Sequence, residues 1–235
     1  MSSPEARQND PFYRQFEAFE RHVLSLRITW TVFHVLYQEP KNVAVMNQAA
    51  STTFHEIGRS VVEHLVIQLG RLTDRPIEGK PAYLSLTAIR AEVARNLADP
   101  AREIPAPYFL AEKNNGQPMP SRPERDADFS TSLQGILSDL EPLLAAAHKH
   151  RNKWVAHLDF DRAISPAEFP LPELTFADIE RALKLIEQFL EKISSYFWQV
   201  NPSYDYPYLR GPDELIEILT LGIEARKLIS TKGSP

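Results

Sequence analysis

From Phe12 to Tyr37 the apolar residues recur at steps of three and four: Phe12, Phe16, Phe19, Val23, Leu26, Trp30, Phe33, Tyr37. That spacing predicts a helix with one core-facing stripe. Asp10-Pro11 supplies an N-cap followed by proline at the first helical position, and Pro40 stops the helix near Gln38. A second helix is predicted from about Lys41 to Leu72, with Phe54, Ile57, Val61, Leu65 and Leu69 as its stripe and Val62 and Val66 alongside. Thr73-Asp74-Arg75-Pro76 ends it. Leu84 to Leu97 reads as a shorter amphipathic helix. A third long helix covers about Asp128 to Leu158, with a break or kink expected at Pro142. Thr175 and Asp178 form a capping box for a fourth, whose stripe runs Ile179, Leu183, Ile186, Leu190, Ile193, Phe197 to about Val200. Pro212-Asp213 opens a last helix to about Leu228.

No strand alternation and no internal repeat competes with these periods. The expected fold is therefore all-α, an antiparallel four-helix bundle with two additional shorter helices. Residues 98–127 hold six prolines and the Asn114-Asn115-Gly116 turn signal, and read as a Pro-rich, poorly structured excursion. The expected organisation is a bundle over 10–200 and a C-terminal helix and tail over 201–235 packed on it.

Composition narrows the chemistry. With 235 residues, 43% hydrophobic and 24% charged, the chain can bury a sizeable core. It has no cysteine, so disulfides, thiolate zinc sites and cysteine nucleophiles are excluded. The polar stretch Met1 to Asp10 lacks the apolar segment of a secretory signal, and no stretch is apolar enough to span a bilayer. A cytoplasmic location is expected. The net charge of −5 argues mildly against broad non-specific nucleic-acid binding, so any such contact is local.

The residues that stand out are Arg151-Asn152-Lys153-Trp154-Val155-Ala156-His157. On the third helix, Leu133, Leu137, Leu140, Leu144, Ala147, Arg151, Trp154 and Leu158 follow at steps of three and four, so Arg151 falls on an apolar seam. A guanidinium there is costly unless it is paired or faces a polar cleft. One reading is a structural arginine bridging to a carboxylate on the first or second helix; the other is a site. His157 lies about 9 Å further along the axis and roughly 120° around it, in line with His150. One isolated helix does not bring Arg151 and His157 to a single face; a leaning arginine or a symmetry-related copy does. Lys149, Lys153 and histidines 148, 150 and 157 also suit the negative end of a helix dipole, so basicity alone says little.

The order Arg-Asn-x-x-x-Ala-His is more specific. It resembles the signature of the HEPN (higher eukaryotes and prokaryotes nucleotide-binding) superfamily, an Arg, a polar residue, a short spacer and a His on a bundle helix. Arg151, Asn152 and His157 match it. Arg151 to Lys153 followed by Ala156-His157-Leu158-Asp159 looks most like the abortive-infection, AbiU-type subgroup, as does Leu69-Gly-Arg-Leu-Thr-Asp-Arg-Pro76. The resemblance implies metal-independent cleavage of RNA by a toxin or phage-defence component. His157 would be general acid or base, Arg151 would stabilise phosphoryl charge, and Asn152 would orient the His or the phosphate. His150 and Lys153 would be weaker phosphate contacts. It further implies a homodimer, a cognate antitoxin or nucleotidyltransferase partner, no metal and no cofactor. The alternative is a non-catalytic helical module binding a protein or a nucleotide.

Elsewhere the chemistry is sparse. His22, His55 and His64 have Glu20, Glu56 and Glu63 nearby, but no pair has the i, i+3 or i+4 spacing of metal ligands. Arg71 and Asp74 form an i, i+3 pair expected to tie down a helix end. The tract Tyr204-Asp-Tyr-Pro-Tyr208 reads as a packed linker. No phosphate-cradling glycine loop occurs.

Overall fold

Asp10 opens the first helix as its sequence predicts: Oδ1 accepts the Phe12 N–H at 3.0 Å, and Pro11 is the first helical residue. The computed structural model describes residues 9–74, 84–104, 121–152, 174–202, 204 and 210–232. These form α1 (Pro11–Gln38), α2 (Pro40–Arg71), α3 (Leu86–Ala98), α4 (Arg122–His150), α5 (Phe176–Trp198) and α6 (Arg210–Lys232). The fold is all-α, with no strand among the described residues. None of the described helices is long and apolar enough to cross a membrane.

The chain separates into two compact units, Met1–Leu24 with Val66–Tyr204, and Ser25–Leu65 with Asp205–Pro235. In the first, α5 is the central helix and buries its whole predicted stripe, Ile179 through Phe197. Phe12 at the start of α1 meets Phe197 edge-on at 5.2 Å, and Phe129 near the start of α4 stacks on Tyr196 at 4.0 Å. So α1 and α4 both begin where α5 ends, the arrangement of an up-down bundle. Arg102 locks this end. It pairs with Asp10 and lies over the rings of Phe12 and Phe197 at 5.4 and 5.3 Å. Burial alone would raise the Asp10 carboxyl. The hydrogen bonds and charge of Arg102, with the Phe12 N–H and the Trp198 indole, outweigh it and hold that carboxyl below its ordinary value.

In the second unit Leu26, Trp30, Phe33 and Leu36 of α1 are buried, as are Met46 and Leu65 of α2. Tyr37 is half-buried, and its hydroxyl donates to the Phe54 carbonyl at 2.9 Å. Gly58 lies under its ring, where a Cβ would come within 2.7 Å of Cε1. Ile57, expected in the core, is 45% exposed. The next residue, Gly58, takes the buried position under the Tyr37 ring and Ile57 falls outside it; further up α2 the backbone leaves the helix at Ala50 (φ −163°, ψ 72°).

Three other expectations change. The third long helix starts at Arg122, inside the supposed Pro-rich excursion, because Ser121 and Glu124 form a capping box and Pro123 sits in the first turn, where it needs no N–H partner. That helix also runs without a break through Pro142. A proline costs a helix about 3 kcal/mol. Leu140 and Leu144 on either side are buried, worth roughly 1.5–3 kcal/mol each, and together they outweigh it. The last helix extends to Lys232 rather than Leu228. Tyr204 packs as a linker residue should, donating its hydroxyl to Glu20 at 2.7 Å.

Candidate functional site

The site forms where the end of α2 meets the end of α4. Residues 69–74 turn tightly: Thr73 N–H bonds the Gly70 carbonyl at 3.3 Å and Asp74 N–H the Arg71 carbonyl at 3.0 Å. Gly70 lies against the last turn of α4. A Cβ on it would stand 3.2 Å from Arg151 Cδ, 3.3 Å from His148 Cα and 3.4 Å from the Ala147 carbonyl oxygen. Glycine is what lets the two backbones approach this closely.

Across that contact Arg151 reaches Asp74. Its Nη1 donates to both carboxylate oxygens, at 3.0 and 3.1 Å. The Arg151 side chain is 15% exposed and that of Asp74 28%. The seam is as predicted up to this point: Leu133, Leu140, Leu144 and Ala147 are buried and Leu137 half-buried. Asp74 is thus the carboxylate a seam arginine requires. Its carboxylate serves Arg151 and not Arg71, as the i, i+3 reading had it; the link from 71 to 74 is the backbone bond.

Asn152 and His148 complete the cluster. Arg151 Nε donates to Asn152 Oδ1 at 3.1 Å, which fixes the orientation of the amide. Asn152 Nδ2 then faces His148 Nε2 at 2.8 Å and can only donate. Nε2 is therefore the bare nitrogen of a neutral ring, and Nδ1 carries the proton. Nδ1 lies 3.2 Å from Thr73 Oγ1, whose own hydrogen goes to the Gly70 carbonyl at 2.7 Å. Every donor in this chain, from Arg151 through Asn152, His148 and Thr73 to Gly70, has one acceptor. The 3.3 Å approach of Arg151 Nη2 to Nδ1 is then a packing contact rather than a bond.

Of the predicted site residues, the structure brings together Arg151 and Asn152. His150 is half-buried on the preceding turn and takes no part in the bonds above. Lys153 and His157 lie outside the described residues, as does the seam beyond Asn152. Sequence reasoning counted His148 only as part of a basic helix end. Its signal was present: it stands three and four positions before Arg151 and Asn152, on one helix face.

Beside the cluster is a cavity of about 250 Å³. Leu72, Leu86, Leu137, Leu140 and Leu144 line it with Thr73, Thr87, Arg90, Gln134 and Glu141. Thr73 belongs to both.

A helical bundle with an Arg-Asn pair locked at the end of a long helix has the make-up of a HEPN domain. The AbiU2 family model matches residues 10–214, and the chain belongs to that HEPN family. Membership suggests a function of the defence or toxin type. Neither a curated protein nor a solved structure matches the chain.

Proposed function

We propose that the protein is a metal-independent endoribonuclease of a toxin or phage-defence system. The observation that supports this most is the locked Arg151. Asp74 and Asn152 hold its fork in one orientation, six positions before His157. A guanidinium fixed this way is preorganised to stabilise charge on phosphoryl oxygens. In the reaction a ribose O2′ attacks the adjacent phosphorus. The O2′–P bond forms and the P–O5′ bond breaks, leaving a cyclic phosphate and a 5′-hydroxyl. His157 takes the 2′-hydroxyl proton or delivers one to O5′. A second copy of the chain supplies the facing motif, and a cognate antitoxin or nucleotidyltransferase restrains the activity in the cell.

The test is RNA cleavage in EDTA by wild type, Arg151→Ala and His157→Ala, each checked for helicity. Cleavage by wild type alone, with cyclic-phosphate ends, is expected. Three folded but inactive proteins would overturn the reading.

One observation favours a second reading, a non-catalytic protein- or nucleotide-binding module. A largely buried arginine with a bidentate carboxylate partner is also what a structural arginine looks like. Under that reading Arg151→Ala destabilises the fold and His157→Ala is silent.

A further inference from the structure

The stripe of α4 that delivers Arg151 also lines the cavity beside it. Leu137, Glu141, Leu144, His148 and Arg151 follow at steps of four, three, four and three, so they lie along one face. The first three of them line the cavity. Its other wall is the start of α3. There the Leu86 N–H donates to the Leu72 carbonyl at 3.0 Å, and the Ser85 hydroxyl caps the helix by accepting the Ala88 N–H at 3.2 Å. One turn on, Arg90 lines the cavity, and its Nη2 donates to Gln134 Oε1 of α4 at 3.1 Å.

The lining divides by polarity. Leu72, Leu86, Leu140 and Leu144 are buried, whereas Arg90, Gln134 and Glu141 are exposed and form a polar rim. Among the described residues Glu141 has no hydrogen bond or ion pair, although a guanidinium lines the same cavity. A volume of about 250 Å³ falls below the roughly 300 Å³ at which sites for larger ligands begin, and suits one flat heterocycle.

We propose that this cavity seats the guanine base of a nucleotide whose phosphate lies on Arg151. Apolar walls hold a flat ring by its faces. An unpaired carboxylate repels phosphate and calls for donors. Of the four RNA bases, guanine sets two donors side by side, N1–H and N2–H, one for each oxygen of Glu141. Its O6 and N7 are the acceptors that an arginine takes, and Arg90 supplies that arginine. Adenine and cytosine place a bare ring nitrogen beside their amino group, which repels a carboxylate. Uracil has one donor between two carbonyls. The step from Leu144 to Arg151, seven residues along one face, matches the reach of a nucleotide from base to phosphate. The guanine can belong to an RNA residue or to a free nucleotide. The proposal rests on the ribonuclease reading in placing phosphate at Arg151, but its test reads binding, so the two fail separately.

The experiment is equilibrium dialysis of the full chain against GMP, AMP, CMP and UMP, none of which holds a bond to cleave. GMP is expected to bind roughly tenfold tighter than the other three, the discrimination of one bidentate base contact. Glu141→Gln, which replaces one carboxylate oxygen by a donor, should bring GMP to within about threefold of AMP at unchanged helicity. Guanosine should bind more weakly than GMP, and Arg151→Ala should close that gap. If Arg151→Ala unfolds, the exposed Glu141 still decides. The dinucleotide 2′-deoxyguanylyl-uridine lacks the attacking hydroxyl and separates the sources. It binds as tightly as GMP or tighter if the pocket takes an RNA residue, and more weakly if it takes a free nucleotide. Four mononucleotides bound alike, no binding at millimolar GMP, or a GMP preference that survives Glu141→Gln would each overturn the proposal. GMP bound as expected by a protein that cuts no RNA would sink the ribonuclease reading and leave the pocket standing.

Discussion

Asp74 and Arg151, 77 positions apart in sequence, meet with both carboxylate oxygens on one guanidinium nitrogen. The contact ties the end of α2 to the end of α4 through charge as well as packing. Removing either partner leaves the other's charge poorly solvated. A double-mutant cycle of Asp74→Ala and Arg151→Ala, followed by urea unfolding, should give a coupling of about 1–3 kcal/mol. A coupling indistinguishable from zero would make the pair incidental. If Arg151 serves phosphate, Asp74→Asn should also lower cleavage at unchanged fold, because the fork loses its orientation.

Gly70 and Gly135 make opposite predictions for one substitution. Gly→Ala inside a helix usually gains up to about 1 kcal/mol. At Gly135 a Cβ meets nothing within 4 Å, so that gain should appear in full. At Gly70 the Cβ meets the His148 Cα and the Ala147 carbonyl, backbone atoms that do not move aside. Overpacking of this kind costs about 1–3 kcal/mol and outweighs the propensity gain. Thermal melts should move up for Gly135→Ala and down for Gly70→Ala.

The hydrogen-bond order around His148 fixes its tautomer. Nitrogen NMR of the imidazole should show Nδ1 protonated and Nε2 bare. In Asn152→Ala, which removes the donor to Nε2, the preference should weaken. Observation of the Nε2–H form in wild type would reverse the direction assigned to the chain.

Asp10 gives a pH dependence with a definite sign. Its carboxyl is held below the ordinary 3.8, so the folded state prefers it ionised. The resulting stability is fully present above that value and is lost as pH falls through the lower, folded one. Asp10→Asn keeps a capable N-cap and removes the charge. The variant should be less stable than wild type at pH 7, and the gap should close towards pH 2. A gap that stays constant with pH would exclude the Arg102 pair as its source.

The helices were legible because steps of three and four and flanking prolines are local signals. Arg151 and Asn152 were legible because an arginine on the seam of Leu144 and Ala147 contradicts its surroundings. Asp74 was visible as a residue but not as a partner: local spacing offers it Arg71, and only the tertiary fold offers it Arg151. Gly70 was silent for the same reason, since its role depends on a helix 77 positions later. Ile57 was misplaced because local spacing does not show that its neighbour Gly58, beneath the Tyr37 ring, takes the buried position. Arg122 was missed because prolines nearby read as loop when one of them was in a first turn.

Arg122 has a wider consequence. Its guanidinium donates to the carbonyls of Arg102, Asp99 and Leu97, at 2.8, 3.0 and 3.4 Å. The departure from α3 and the entry to α4 are thereby stapled at one point. Whatever sequence joins them closes a ring whose ends are already fixed, and doubling its length adds only about 0.6 kcal/mol of closure entropy. A change in the length of that stretch therefore costs the bundle little in chain entropy, because its two anchor points stay where Arg122 holds them.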